Sequence, residues 1–519
     1  MTEPLQSGPD EERQHARSLP ARWFGPPAPG TTSYLWPRWI VLRALGLIFF
    51  SAFFSFAFQI QGLIGPRGIL PAGDYLRAVA QAYPSIERFW LAPTLLWIAS
   101  GHGALTALVA AGIVCSVALT LNLWPRLACA LCTLFYLSCI GALQVFSSYQ
   151  SDGMLLAAGF IAIFFSPPGL WPGLGAARPP SPAALFLLRW EWFRIYFESG
   201  IAKLASGDPS WRNLTAMDHY YQNGPLPTWI GWYVQQLPHP FHAFVTLLTL
   251  AVELGIVWLA WLPRRFRLAC FFIVTPFQIA IILTANYAFL NYLVLVLGLL
   301  LLDDRALAHL RLPLPSSEHR RAAPWRLWGV AAVFTWIFYG TVVSEVALFT
   351  PLPTLLTLPD RVIAPFRIAN DYALFATMTP ARYEIEFQGT RDGVAWTAYP
   401  FRYKPQDPSA PPGIYAPYQP RFDWNLWFAS LDSWRNDPWV VRTQIRLLEN
   451  SPSVLALFRG NPFGDAPPSA VRAVLWQYSF TDLATRRRTG RWWNRTLLGL
   501  YAPVAVRDST GAIQLQAGP

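Results

Sequence analysis

Seven apolar runs, 38–62, 103–122, 126–146, 183–204, 241–262, 266–284 and 325–349, are each long enough to cross a bilayer, and two shorter ones, 153–167 and 287–302, reach that length with their flanks. A spanning α-helix needs about 20 predominantly apolar residues. Inside hydrocarbon every backbone N–H and C=O must find a partner within the protein, which leaves only helices or closed barrels. Runs this long select helices, so the chain is expected to form a polytopic α-helical membrane bundle of about nine transmembrane helices. The stretch 88–100 reads as a half-helix or interfacial piece. Composition agrees: apolar residues make up 53% and charged residues 13%, about half the charged share of a soluble domain.

The net charge of +11 is almost all arginine and is scattered through loops. That pattern reports topology, and no basic stripe or nucleic-acid motif accompanies it, so no nucleic-acid partner is expected. Arg264, Arg265 and Arg267 lie in one short connection and Arg305, Arg311, Arg320, Arg321 and Arg326 in another, with two runs between them. If both are cytoplasmic, Arg38, Arg126 and Arg178 fall inside as well and everything after Phe349 falls outside. The expected organisation is a disordered cytoplasmic N-terminus (1–35), a transmembrane domain (36–349) with extracytoplasmic loops 63–102 and 205–240, an extracytoplasmic C-terminal domain (350–505) and a tail (506–519). The first run is too long for the core of a secretory signal and is expected to be retained.

The C-terminal region changes period. Residues 381–404 alternate around Asp392-Gly393, a hairpin signal, and 471–480 alternate likewise. Between them, 424–459 reads as short helices broken by Pro438 and Pro452. A soluble β-rich, sandwich-like domain with a helical insertion is expected. All five cysteines (115, 129, 132, 139 and 270) lie in apolar runs, so a disulfide framework is excluded for that domain. Cys129 and Cys132 form a CxxC, which reads as helix packing or as a redox pair.

One run carries charge. The stretch 183–204 holds Arg189, Glu191, Arg194, Glu198 and Lys203, and ionisable residues inside a span usually face the bundle interior and mark function. Glu191, Arg194 and Glu198, at i, i+3 and i+7, share one helical face. Asp152, Glu253 and Glu345 on other runs could join them and Lys203. These seven residues define either a polar cavity open outward or a buried ion-pair network that sets helix register.

The charged run leads into an aromatic loop with Trp211, Arg212, Asp218, His219 and Tyr220, which together with Trp424, Trp427 and Trp434 are candidates for a partner-facing surface. Arg486, Arg487, Arg488, Arg491 and Arg495 with Trp492 and Trp493 form a second, basic-aromatic patch. The histidines lack metal-ligand spacing, and no GxSxG, P-loop or GxGxxG motif occurs, so no catalytic, cofactor or metal residue is assigned.

SSYQSDGMLLAAGFIAIFFSP (147–167), the whole stretch 188–238, VELGIVW (252–258), LTANYAFLNYL (283–293), and the later strings PFRIANDYALFATMT, RYEIEFQGTRDGVAW, PRFDWNLWFASL, NDPWVVR and TGRWW together resemble the lipase maturation factor family, in order, over nearly all of 36–500. The resemblance implies a multi-pass membrane protein, in the endoplasmic reticulum of eukaryotes, that assists folding of secreted lipases, with the C-terminal domain and lumenal loops recognising the client. Near absence of lysine (only Lys203 and Lys404) points to a high-GC bacterium, and so to an inner-membrane protein whose client side is periplasmic. The implied partners are an exported, lipase-like client and membrane lipids, with no cofactor. The alternative is an intramembrane enzyme or a lipid- or quinone-handling protein built on the charged residues.

Overall fold

The computed structural model describes residues 33–147, 149–310, 324–508 and 510–516. The expected N-terminal arm, up to residue 32, and 311–323 of the basic loop lie outside the described residues.

Helices stand at all nine apolar positions. They are α1 (Leu35–Ile64), α2 (His102–Thr120), α3 (Pro125–Ile140), α4 (Gln150–Phe165), α5 (Pro182–Ala205), α6 (His239–Leu254), α7 (Arg264–Thr284), α8 (Leu290–Gly298) and α9 (Pro324–Ala347). Among the described residues five are long and apolar enough to cross a membrane: Leu35–Ile64, His102–Thr120, His239–Trp261 (α6 with its 3₁₀ extension), Arg264–Thr284 and Leu327–Ala347. α3, α4 and Leu290–Leu301 are apolar but shorter. α5 is long enough, at 24 residues, but carries five charges. Of the nine expected spans, five therefore qualify by length and composition among the described residues.

Small residues let the helices approach. At Gly46 of α1 an added Cβ would sit 2.5 Å from Thr120 Oγ1 and 2.8 Å from its backbone nitrogen in α2, so only glycine fits that crossing. Outward-facing side chains such as Val114, Phe244 and Phe272 are exposed apolar groups, as a lipid-facing surface requires. The expected piece at 88–100 is a short helix, Glu87–Leu91, followed by a 3₁₀ turn, Leu95–Trp97.

The C-terminal region forms one antiparallel sheet from β1 (Arg382–Thr390), β2 (Thr397–Ala398), β3 (Ala470–Phe480), β4 (Trp493–Leu500), β5 (Val504–Arg507) and β6 (Ile513–Gln516). β1 is paired along its whole length with β3, whose other side pairs with β4 and then β5. The Asp392-Gly393 hairpin exists, but its return strand is only two residues. Two further helices, α10 (Arg421–Ala429) and α11 (Pro438–Leu448), pack on this sheet. The sandwich expectation is corrected here: the two alternating stretches pair with each other in a single sheet, and helices supply the second layer that a facing sheet would have provided. β6 also extends the sheet through residues assigned to a tail.

Candidate functional site

α5 begins where Ser181 caps it, its Oγ accepting from Ala184 N–H at 3.2 Å with Pro182 in the first turn. The 3.6-residue period then puts Glu191, Arg194 and Glu198 on one buried face. Arg194 Nε lies 2.6 Å from Glu198 Oε1, with Glu191 at 3.8 Å and Glu345 of α9 at 3.9 Å. The other partners come from far along the chain. Arg194 donates to Asn370 O, the Tyr372 hydroxyl donates to Glu191 Oε1, and Tyr372 N–H donates to Glu198 Oε2 at 2.6 Å.

These contacts begin a strap, residues 367–379, that lies on the bundle with neither helix nor strand beyond Arg367. An irregular segment cannot satisfy its own backbone, so other groups must do it. Arg367 donates to Ser147 O at 2.6 Å, Leu374 N–H to Ser199 Oγ at 3.3 Å, and Met378 N–H to Asp208 Oδ2 at 2.6 Å. In return Lys203 Nζ donates to Leu374 O at 2.8 Å, Trp211 Nε1 to Phe375 O at 3.1 Å, and Asn223 Nδ2 to Thr379 O at 2.7 Å. At Gly153 an added Cβ would meet Asn370 Oδ1 at 2.7 Å, so α4 admits the strap only because that position is bare. Burial alone would raise the Asp208 carboxyl, but the N–H groups of Met378 and Ser210 hold it below its usual range.

Asp152 does not join the α5 cluster. It takes both ends of Arg421, the first residue of α10, at 2.7 and 2.8 Å, while the Tyr136 hydroxyl donates to Asp152 Oδ1 at 2.6 Å. Arg421 also donates to Phe146 O at 2.8 Å. Glu253 is likewise separate, pairing with Lys203 at 2.9 Å. Two more ties cross the same junction. Arg382 of β1 donates to Gln222 O at 3.1 Å and Pro225 O at 3.0 Å. Asn286 accepts from Tyr415 N–H at 2.7 Å and donates to Gly413 O at 2.9 Å.

The seven charged candidates thus divide into three buried groups, Glu191–Arg194–Glu198–Glu345, Lys203–Glu253 and Asp152–Arg421, and each is answered by the C-terminal region or borders its strap. Of the two readings, buried ion pairs are what the geometry places here. Lys203 and Glu253 border a cavity of about 570 Å³ whose other lining is chiefly apolar.

The expected partner-facing set is corrected too. Trp211, Tyr220, Trp424 and Trp427 are buried, Trp434 and Asp218 are half-buried, and only Arg212 and His219 are exposed. The tryptophans lie inside because α10 packs into the junction: Trp424 sits 5.1 Å from the Tyr149 ring. Asp218 pairs with His239 at 3.0 Å. In the basic-aromatic patch Arg486 lies 3.7 Å over Trp492, and Arg487, Arg488, Arg491 and Arg495 are exposed. Cys129 and Cys132 are both buried, and Cys129 Sγ contacts Gly159 O at 3.3 Å. Among the described residues no group of three potential metal ligands occurs.

Tyr372, Asn370, Arg382 and Arg421 carry much of this junction and none was singled out from sequence. One signal was readable: Arg421, with Asp423 and Asn425, lies in a helix otherwise made of aromatic and apolar residues (RFDWNLWFA). Within the C-terminal domain Asp423 is also buried, and burial raises its carboxyl to about 6 against the opposing charge of Lys404 and hydrogen bonds from the backbone of Lys404 and Tyr403.

Residues 36–309 match the family described as lipase maturation factor transmembrane domain, and 368–503 match the lipase maturation factor C-terminal domain. Among curated proteins the chain is 32% identical to lipase maturation factor 1 of Bos taurus, covering 91% of this chain and 89% of that one. It is 33% identical to lipase maturation factor 1 of Mus musculus (92% and 88% covered) and 30% identical to lipase maturation factor 2 of Gallus gallus (91% and 82%). No solved structure matches the chain.

Proposed function

The chain belongs to the lipase maturation factor family, and from that premise we propose that it is a membrane-anchored folding factor for exported, lipase-like clients. In this proposal the helix bundle anchors and orients the C-terminal domain, and that domain meets the client. The observation that carries it is the free outer edge of β4. Among the described residues no strand pairs with that edge, and Leu497, Leu498 and Leu500 are exposed along it. An open edge offers unpaired N–H and C=O groups to an extended chain, the hazard that a folding factor turns to use.

The strap and the Asp152–Arg421 pair support the anchoring half of the proposal, since they tie the domain to the bundle by buried charge. Nine spans, with the N-terminus cytoplasmic and the C-terminal domain outside, remain the topology that the arginine distribution favours. In a bacterium that places the client surface in the periplasm.

The test is a photoactivatable residue at Leu498 of the full-length protein, expressed with a secreted lipase. Crosslinking to the nascent lipase, with none from a matched position at Val114 on the lipid face, is the expected result. Equal capture from both positions, or capture of mature lipase only, sinks the proposal.

A further inference from the structure

We propose that the cavity of about 570 Å³ beside α5 is a binding site for an ester-linked acyl chain of a membrane phospholipid. This inference is independent of client binding. The volume lies within the roughly 300–1,000 Å³ of small-molecule sites. α6 and α7 both pack on the 3₁₀ turn Ile256–Trp261 and both line the cavity, and we place its side opening between them, where lining residues reach the surface. Val245 and Leu248 of α6 and Phe277 and Ile281 of α7 form its walls. Phe241 and Ile273, also lining residues, are 38% and 42% exposed at its margin. Both helices belong to segments apolar and long enough to cross a membrane, so the opening gives onto hydrocarbon, and a lipid chain is the apolar molecule present there.

The polar lining makes the choice narrower. Lys203 is already neutralised by Glu253 at 2.9 Å. Gln278 accepts from the Tyr196 hydroxyl at 2.6 Å and donates to Asn291 O at 3.3 Å. Asn291 is only 5% exposed, lines the cavity, and its Nδ2 has no hydrogen-bond partner. A buried donor left unpaired is costly, and a neutral acceptor such as an ester carbonyl answers it. A free carboxylate gains less, because the one cation lining the cavity is taken.

The experiment places the full-length protein in bilayer nanodiscs containing a trace of phosphatidylethanolamine with a diazirine in its acyl chain. Labelling should concentrate on peptides from α6, α7 and α8. Leu248→Trp and, separately, Ile281→Trp should each lower it by roughly tenfold in protein that stays monodisperse. Phe272→Trp, on the lipid-facing side, should leave it unchanged. Asn291→Leu should weaken labelling by the phospholipid more than by a diazirine alkane. Labelling spread evenly over α2 and the other lipid-facing helices, or unchanged in both filling variants, overturns the site. Stronger labelling by the free diazirine fatty acid than by the phospholipid overturns the assignment of the ligand.

Discussion

Asp152 and Arg421, 269 residues apart, meet as a bidentate ion pair at 2.7 and 2.8 Å with both side chains fully buried. One belongs to a helix of the bundle, the other to the C-terminal domain. A buried pair is poor evidence of net stability, because desolvation offsets much of the attraction, but losing one partner strands the other charge. The pair therefore specifies how the two parts dock more than how tightly each folds.

Removing one member should cost about 3–5 kcal/mol, the usual penalty for a stranded buried charge. Asp152→Leu is expected to lower the thermal midpoint sharply and to expose the C-terminal domain to limited proteolysis. The double variant Asp152→Leu with Arg421→Met should recover part of that loss, since no charge is then stranded. A double variant as unstable as the single one would show that packing, not charge, holds the junction.

The α5 cluster gives a second expectation. Glu198 accepts from Tyr372 N–H at 2.6 Å and is ion-paired with Arg194 at 2.6 Å, so Glu198→Gln loses a charged acceptor at the first and the opposing charge at the second. About 1.5–3 kcal/mol is at stake in hydrogen bonds to a charged group. Reduced yield of folded protein and faster proteolysis between 367 and 379 are expected. Unchanged folding with altered client activity would instead return Glu198 to a chemical role.

How far the sequence foretold this junction depends on range. The common face of Glu191, Arg194 and Glu198 follows from helical periodicity, and those residues do cluster. Their partner Tyr372 lies 181 residues from Glu191 in a segment with no periodicity at all, so nothing local announced it. Trp424 and Trp427 read either as core or as exposed anchors because their spacing carries no record of what covers them; they are core, and Arg421, drawn to Asp152, turns that helix inward. The two alternating stretches 381–404 and 471–480 were readable as strands, but alternation cannot say whether strands pair or face each other. They pair.

Asp423 makes stability depend on pH in an uncommon direction. Burial raises its carboxyl from the ordinary 3.8 to about 6, so the native state holds the proton between those values. Stability contributed by this group is present below about pH 4 and is lost as pH rises through about 6, a change of roughly 3 kcal/mol. Asp423→Asn keeps an acceptor for the N–H groups of Tyr403 and Lys404. The variant should melt higher than the parent at pH 7 and show a flatter midpoint between pH 4 and 6. An identical slope in both proteins would remove Asp423 as the cause.

The CxxC offers a test by silence. Cys129 and Cys132 are buried, and Cys129 Sγ is engaged with Gly159 O, so neither thiol is presented to a disulfide in a client. Cys129→Ala with Cys132→Ala should leave client activity unchanged, apart from a packing cost visible as a lower thermal midpoint. A lipase left inactive and wrongly disulfide-bonded, beside a variant that still folds, would establish a redox role.

The edge of β4 carries the functional prediction. Leu497 and Leu498 are about half exposed, at 50% and 49%, and neither contributes to the buried core. Replacing both by lysine puts charge on an open edge, the device by which natural sheets repel added strands. Surface changes of this kind usually alter stability by less than about 0.5 kcal/mol, so the thermal midpoint should hardly move. Secreted lipase activity per cell should nevertheless fall several-fold, and crosslinking from a neighbouring position such as Thr496 should fall with it. If activity survives while the charged edge is folded and intact, β4 does not hold the client, and the exposed arginines Arg487, Arg488 and Arg491 become the next surface to change.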